Sequence, residues 1–72
     1  MENNGILEQV GGQYVSQAGK TLPPAATAED REYPVEIDAG HAGRVRLYFR
    51  KQKLKRAKHS HWFWLAQRAE RV

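Results

Sequence analysis

A chain of 72 residues without cysteine holds one domain at most, and neither a disulfide nor a thiolate-bound zinc can brace it. No apolar run approaches the roughly 20 residues needed to cross a bilayer, and the N-terminus lacks the basic start and apolar stretch of a signal peptide. Twelve Lys and Arg against eight Asp and Glu leave a net charge of +4, unevenly placed. Residues 1–43 hold two basic and seven acidic residues, whereas residues 44–72 hold ten basic residues against the single acid Glu70. Such asymmetry predicts a polyanionic partner for the basic half, or an acidic arm that folds back on it. A cytoplasmic location is the expectation, in keeping with the lack of cysteine.

Residues 1–32 form an N-terminal arm and linker, weakly ordered and either free or laid against the rest. After Met1, the large apolar residues of its first half are Ile6, Leu7, Val10, Tyr14 and Val15, with Gly11-Gly12 between them. A Gly-Gly pair flanked by short β-compatible runs closes a two-residue turn, which predicts a short hairpin near 6–17. The same apolar positions fit a helical stripe, but two central glycines would cost that helix about 2 kcal/mol against alanine. Residues 18–30, with Gly19 and Pro23-Pro24, read as a linker.

Residues 33–72 form a small basic β-rich domain. Tyr33, Val35 and Ile37 alternate with Glu36 and Asp38, predicting a half-buried strand over 33–38 with Pro34 near its start, as an edge allows. Ala39 to Gly43 is a turn with two glycines available for positive φ. A second strand over 44–54 sets Val45, Leu47 and Phe49 on one face and Arg44, Arg46, Tyr48 and Arg50 on the other. The aromatic run His61-Trp62-Phe63-Trp64-Leu65 predicts a third strand over 61–67. A helix capped by Ser60, with Trp62, Leu65, Ala66, Ala69 and Val72 on one stripe, competes with it. The fold class is therefore small α+β, mostly β: a three-stranded antiparallel sheet with a weakly ordered arm.

The basic and aromatic residues carry the functional reading. Arg44, Arg46, Tyr48 and Arg50 would stand about 7 Å apart along one strand face, near the spacing of phosphates along a nucleic-acid strand. Lys51, Lys53, Lys55, Arg56 and Lys58 add charge, and Tyr48, Trp62 and Trp64 offer flat faces on which bases stack. A mixture of Arg and Lys suits phosphate contact more than base reading. Pairing Phe63 and Leu65 with the Val45–Leu47–Phe49 face would leave both tryptophans beside Tyr48 and the arginines. The blander reading is a solvated strand face whose charges keep a sheet edge from pairing; the one-sided excess of charge favours binding.

The leading expectation is a nucleic-acid-binding accessory protein for DNA or RNA, without strong sequence preference. The alternative is a small adaptor or inhibitor that docks the same face on an acidic protein surface, since Arg, Trp and Tyr are enriched in binding hot spots. A homodimer is compatible with both, and membrane contact is the weakest reading. His59 and His61, with His41, form only a weak candidate metal set, so neither metal nor cofactor is expected. The chain has no phosphate loop, nucleophile elbow or H-E-x-x-H motif, and Leu47-Tyr48-Phe49 lacks the glycines and spaced aromatics of an RNA-recognition strand. A non-enzymatic role is expected.

Overall fold

Alternating apolar and polar side chains commit the C-terminal half to strands, and the register between those strands decides what the N-terminal half must cover. The computed structural model describes residues 3–56 and 59–72. Helices α1 (Asn3–Gln9) and α2 (Gly12–Gly19) precede strand β1 (Tyr33–Asp38), a 3-10 turn (Gly40–Ala42), β2 (Arg44–Arg56) and β3 (His59–Arg71). The strands make one antiparallel sheet in the order β1-β2-β3. The predicted small α+β architecture is the observed one, with β2 and β3 longer than their sequence signals. The helix that Ser60 would cap does not form, because Ser60 joins the ladder opposite Lys55 and pairing continues to Arg71.

Residues 6–17 belong to two short helices and the junction between them, which corrects the expected hairpin. The glycine pair falls at the junction of two short helices rather than inside one. Gly11 is extended (φ −62°, ψ 147°), and its carbonyl accepts the amides of Tyr14 at 3.0 Å and Val15 at 3.3 Å. The mid-helix cost of glycine is thereby largely avoided, and Ile6, Leu7, Val10, Tyr14, Val15 and Ala18 all turn toward the sheet. A hairpin would have turned alternate residues to solvent.

The covered face centres on Val45, Leu47, Phe49 and Ala69, all essentially inaccessible to solvent. Burying each of the three larger side chains stabilises the fold by roughly 1.5–3 kcal/mol. Tyr33, Val35 and Ile37 pair directly with Phe49, Leu47 and Val45, as alternation requires. Gly40 (φ +64°) and Gly43 (φ +80°) take the left-handed backbone of the β1–β2 turn, closed by Ala39 N–H donating to Gly43 O at 2.8 Å.

One irregularity sets the face of every residue toward the sheet's far end. Tyr48 pairs with Arg68 but Phe49 pairs with Ala66, so Gln67 is a bulged extra residue. A one-residue insertion flips the alternation beyond it. Ala66, Trp64 and Trp62 therefore share the covered face with Phe49, Lys51 and Lys53, while Leu65 and Phe63 turn to the other. The assignment of Phe63 and Leu65 to the core, with the tryptophans beside Tyr48, is thus reversed.

β1 extends no further than Phe49, and beyond it β2 and β3 continue as a two-stranded ribbon, residues 50–56 against 59–65. The ribbon gives the molecule its long axis of 41 Å against 21 and 20 Å. Among the described residues no helix is long and apolar enough to cross a membrane.

Candidate nucleic-acid interface

The arginine row of β2 is engaged within the protein. Arg46 donates through Nε and Nη2 to Glu36 Oε2 at 3.0 and 2.7 Å and through Nη1 to Glu70 Oε1 at 2.9 Å. The Tyr48 hydroxyl donates to the same Glu70 oxygen at 2.5 Å. Arg68 lies with its guanidinium 3.8 Å from the Tyr48 ring centre and forks onto Glu32 at 3.1 and 3.4 Å. Three strands and the linker thus meet in a closed network of three carboxylates, two guanidiniums and a phenol. These contacts push the Arg46 and Arg68 guanidiniums to still higher pKa. The Glu70 carboxyl is held below its usual range, first by the Tyr48 hydroxyl and then by Arg46 and Arg68.

The flanking arginines are looser. Arg50 lies 3.7 Å from Asp30 with both side chains largely exposed, a pairing of little strength. Arg44 stands exposed opposite Asp38. It borders a cleft of about 380 Å³ between α2 and β1, also lined by Tyr14, Gln17, Thr21, Glu36 and Asp38. The Thr21 hydroxyl there donates to Ala18 O at 2.8 Å and is occupied with capping its own helix.

The ribbon differs in kind. On its covered-side face Lys51 pairs with Trp64, Lys53 with Trp62 and Lys55 with Ser60. A column of ammonium groups therefore runs beside a column of indoles. Lys51 Nζ lies 4.5 Å and Lys53 Nζ 5.6 Å from the Trp62 ring centre. Cation–π contacts at exposed sites contribute only about 0.5–1 kcal/mol, so the Trp62 ring by itself holds these ammoniums weakly.

The linker covers this face up to Trp64 and stops there. Trp64 Nε1–H donates to Pro23 O at 2.8 Å, and its ring meets Tyr33 edge-on, centroids 4.9 Å apart at 72°. Lys51 Nζ donates to Ala28 O at 2.6 Å. Trp64 is therefore half-buried, whereas Trp62, one position further out, keeps 38% of its surface exposed. The opposite ribbon face holds Leu54, Phe63 and Leu65, also exposed, beside Arg50, Gln52 and His61.

Of the remaining candidates, Arg56 ends β2 with its side chain outside the described residues, and Lys58 lies outside them altogether. His59 and His61 sit near the ribbon tip and His41 in the β1–β2 turn, at opposite ends of β2. The twelve residue steps from Arg44 to Arg56 span about 40 Å at 3.3 Å per residue, so the three imidazoles cannot share a metal. Among the described residues no group of three His, Asp or Glu could hold one.

Sequence reasoning missed Glu36 and Glu70 as partners of Arg46 in the arginine row, and Glu32 as the partner of Arg68. It also missed the lysine–tryptophan column. One signal was available: Ala66 and Ala69, the small residues suited to lie under helices, are three apart, a spacing no regular strand turns to one face.

Comparison with protein-family models, with curated proteins and with solved structures finds no match.

Proposed function

We propose that this protein is a non-enzymatic nucleic-acid-binding protein whose working surface is the β2–β3 ribbon rather than the arginine row of the sheet. The observation that carries the reading is the column of Lys51, Lys53 and Lys55 beside Trp64 and Trp62 on one projecting face. Lysines at alternate positions neutralise phosphates, and an exposed indole between them takes a base, a contact worth about 1–3 kcal/mol. That is comparable with the two cation–π contacts of about 0.5–1 kcal/mol each that it would replace, so phosphate contact by the released ammoniums supplies the net gain. Arg46 and Tyr48 serve chiefly to hold the three strands together, since their polar groups already have charged partners. A cytoplasmic location goes with this reading, as RNA is at hand there.

The test is fluorescence anisotropy with labelled oligonucleotides between about 50 and 200 mM salt, a range over which phosphate binding weakens steeply. Simultaneous replacement of Lys51, Lys53 and Lys55 by alanine should weaken binding and flatten the log K against log salt slope by about 2, the value for three contacts to a single strand. Arg46→Ala should leave that slope unchanged. Equal slopes for the wild type and the triple variant would sink the reading.

A second reading, docking on an acidic protein surface or on a second copy of the chain, is favoured by the exposed Leu54, Phe63 and Leu65 on the ribbon's other face. Apolar anchors ringed by cationic side chains are a common composition for such contacts.

A further inference from the structure

We infer that the nucleic acid is taken up single-stranded, with an unpaired base stacked on Trp62; this rests on the nucleic-acid reading above and specifies its substrate. The described ribbon lysines all lie on the face that carries both tryptophans, at about 7 Å intervals along one strand. The other face at the same level is apolar at Leu54, Phe63 and Leu65. A ribbon lying in a duplex groove meets a phosphate backbone on either side of it, and a face with cations along only one of its two strands is poorly matched to that. The same face suits a single strand laid lengthwise: phosphates follow the lysines of β2 while bases turn toward the indoles of β3.

Burial picks out the stacking residue. Trp64 is held by Pro23 and Tyr33 and half-covered, so it serves as a wall. Trp62 lies beyond the end of the linker, with the ammonium of Lys53 and that of Lys51, itself held by Ala28 O, above its ring. Bases in a duplex are already stacked on each other, and exposing one carries a penalty. An indole in this setting therefore adds affinity for unpaired strands and little for paired ones.

The chain has only two tryptophans, so Trp64→Phe leaves Trp62 as the sole indole reporter. The experiment measures binding of the full chain to oligothymidylate, oligouridylate and a duplex, each of about 16 nucleotides or base pairs, a length that covers one site. Wild type, Trp62→Ala and Trp62→Phe are compared, with circular dichroism to show that each variant keeps its sheet. The expected result is a preference for single strands of about tenfold or more, the size of one stacked base. Trp62→Ala should lose it while its duplex affinity stays unchanged, Trp62→Phe should retain most of it, and emission of the Trp64→Phe variant should be quenched by single strands. The two single strands decide whether the base comes from DNA or RNA. Equal or tighter binding to duplex, or equal loss in both Trp62 variants, overturns the single-strand inference and leaves nucleic-acid binding standing. Absence of binding to every oligonucleotide at the lowest salt overturns both.

Discussion

The phenol of Tyr48 on β2 and the carboxylate of Glu70 on β3 meet at 2.5 Å, with the Arg46 guanidinium on the same oxygen. Glu70 is the one acidic residue of the basic half, and it sits among three of that half's cationic or phenolic side chains. A residue isolated by composition is thus the hub of the polar face.

The hub has a pH signature. Because contacts in the fold hold the Glu70 carboxyl below its usual value, its contribution to stability is fully present above the unfolded carboxylate pKa of about 4.3. It is lost as pH falls through the lower folded value. Urea midpoints of the wild type and Glu70→Gln should therefore differ by a constant amount from pH 8 to about 5 and converge only in stronger acid. Convergence already between pH 7 and 6 would assign the difference to another group.

Two phenylalanines of the same hairpin should respond very differently to truncation. Phe49 is 2% exposed and Phe63 is 38% exposed. Phe49→Ala should cost about 3–5 kcal/mol, enough to unfold much of so small a domain. Phe63→Ala should cost under about 1 kcal/mol, as surface substitutions usually do. Chemical denaturation followed by circular dichroism measures both, and similar losses would contradict the register.

Deleting Gln67 removes the bulge yet keeps Ala66 opposite Phe49, so Trp64 and Trp62 stay on the covered face. Trp64 should therefore keep Pro23 and Tyr33, and tryptophan emission should stay at the wild-type wavelength. A shift to longer wavelength would mean that Gln67 is not the extra residue of this register.

Glycines at two positions should give opposite signs on replacement. Gly43 has φ +80°, so Gly43→Ala should destabilise by about 1–3 kcal/mol. Gly5 is helical, and an added Cβ meets nothing within 4 Å; Gly5→Ala should stabilise by up to about 1 kcal/mol. Thermal melts compare the two directly, and a stabilised Gly43→Ala would count against the turn geometry.

Some of this architecture follows from the residues alone. Alternation along 33–38 and 44–50 is a local pattern, because a strand turns neighbouring side chains to opposite faces whatever it pairs with. That is why β1, the core triad Val45, Leu47 and Phe49, and the excess of charge in residues 44–72 were all legible. Tertiary structure decided the rest. Gly11-Gly12 became a helix junction because the apolar arm gains most by laying every large side chain on the sheet. The tryptophans joined the lysines because a single unpaired residue, Gln67, reverses alternation, and pairing with β2 determines where it falls. Arg46 and Tyr48 were withdrawn from the free surface because β1 and β3 flank β2 and bring Glu36 and Glu70 within hydrogen-bonding distance. Periodicity says which residues share a face of one strand, but only the packing of strands on one another says what that face will meet.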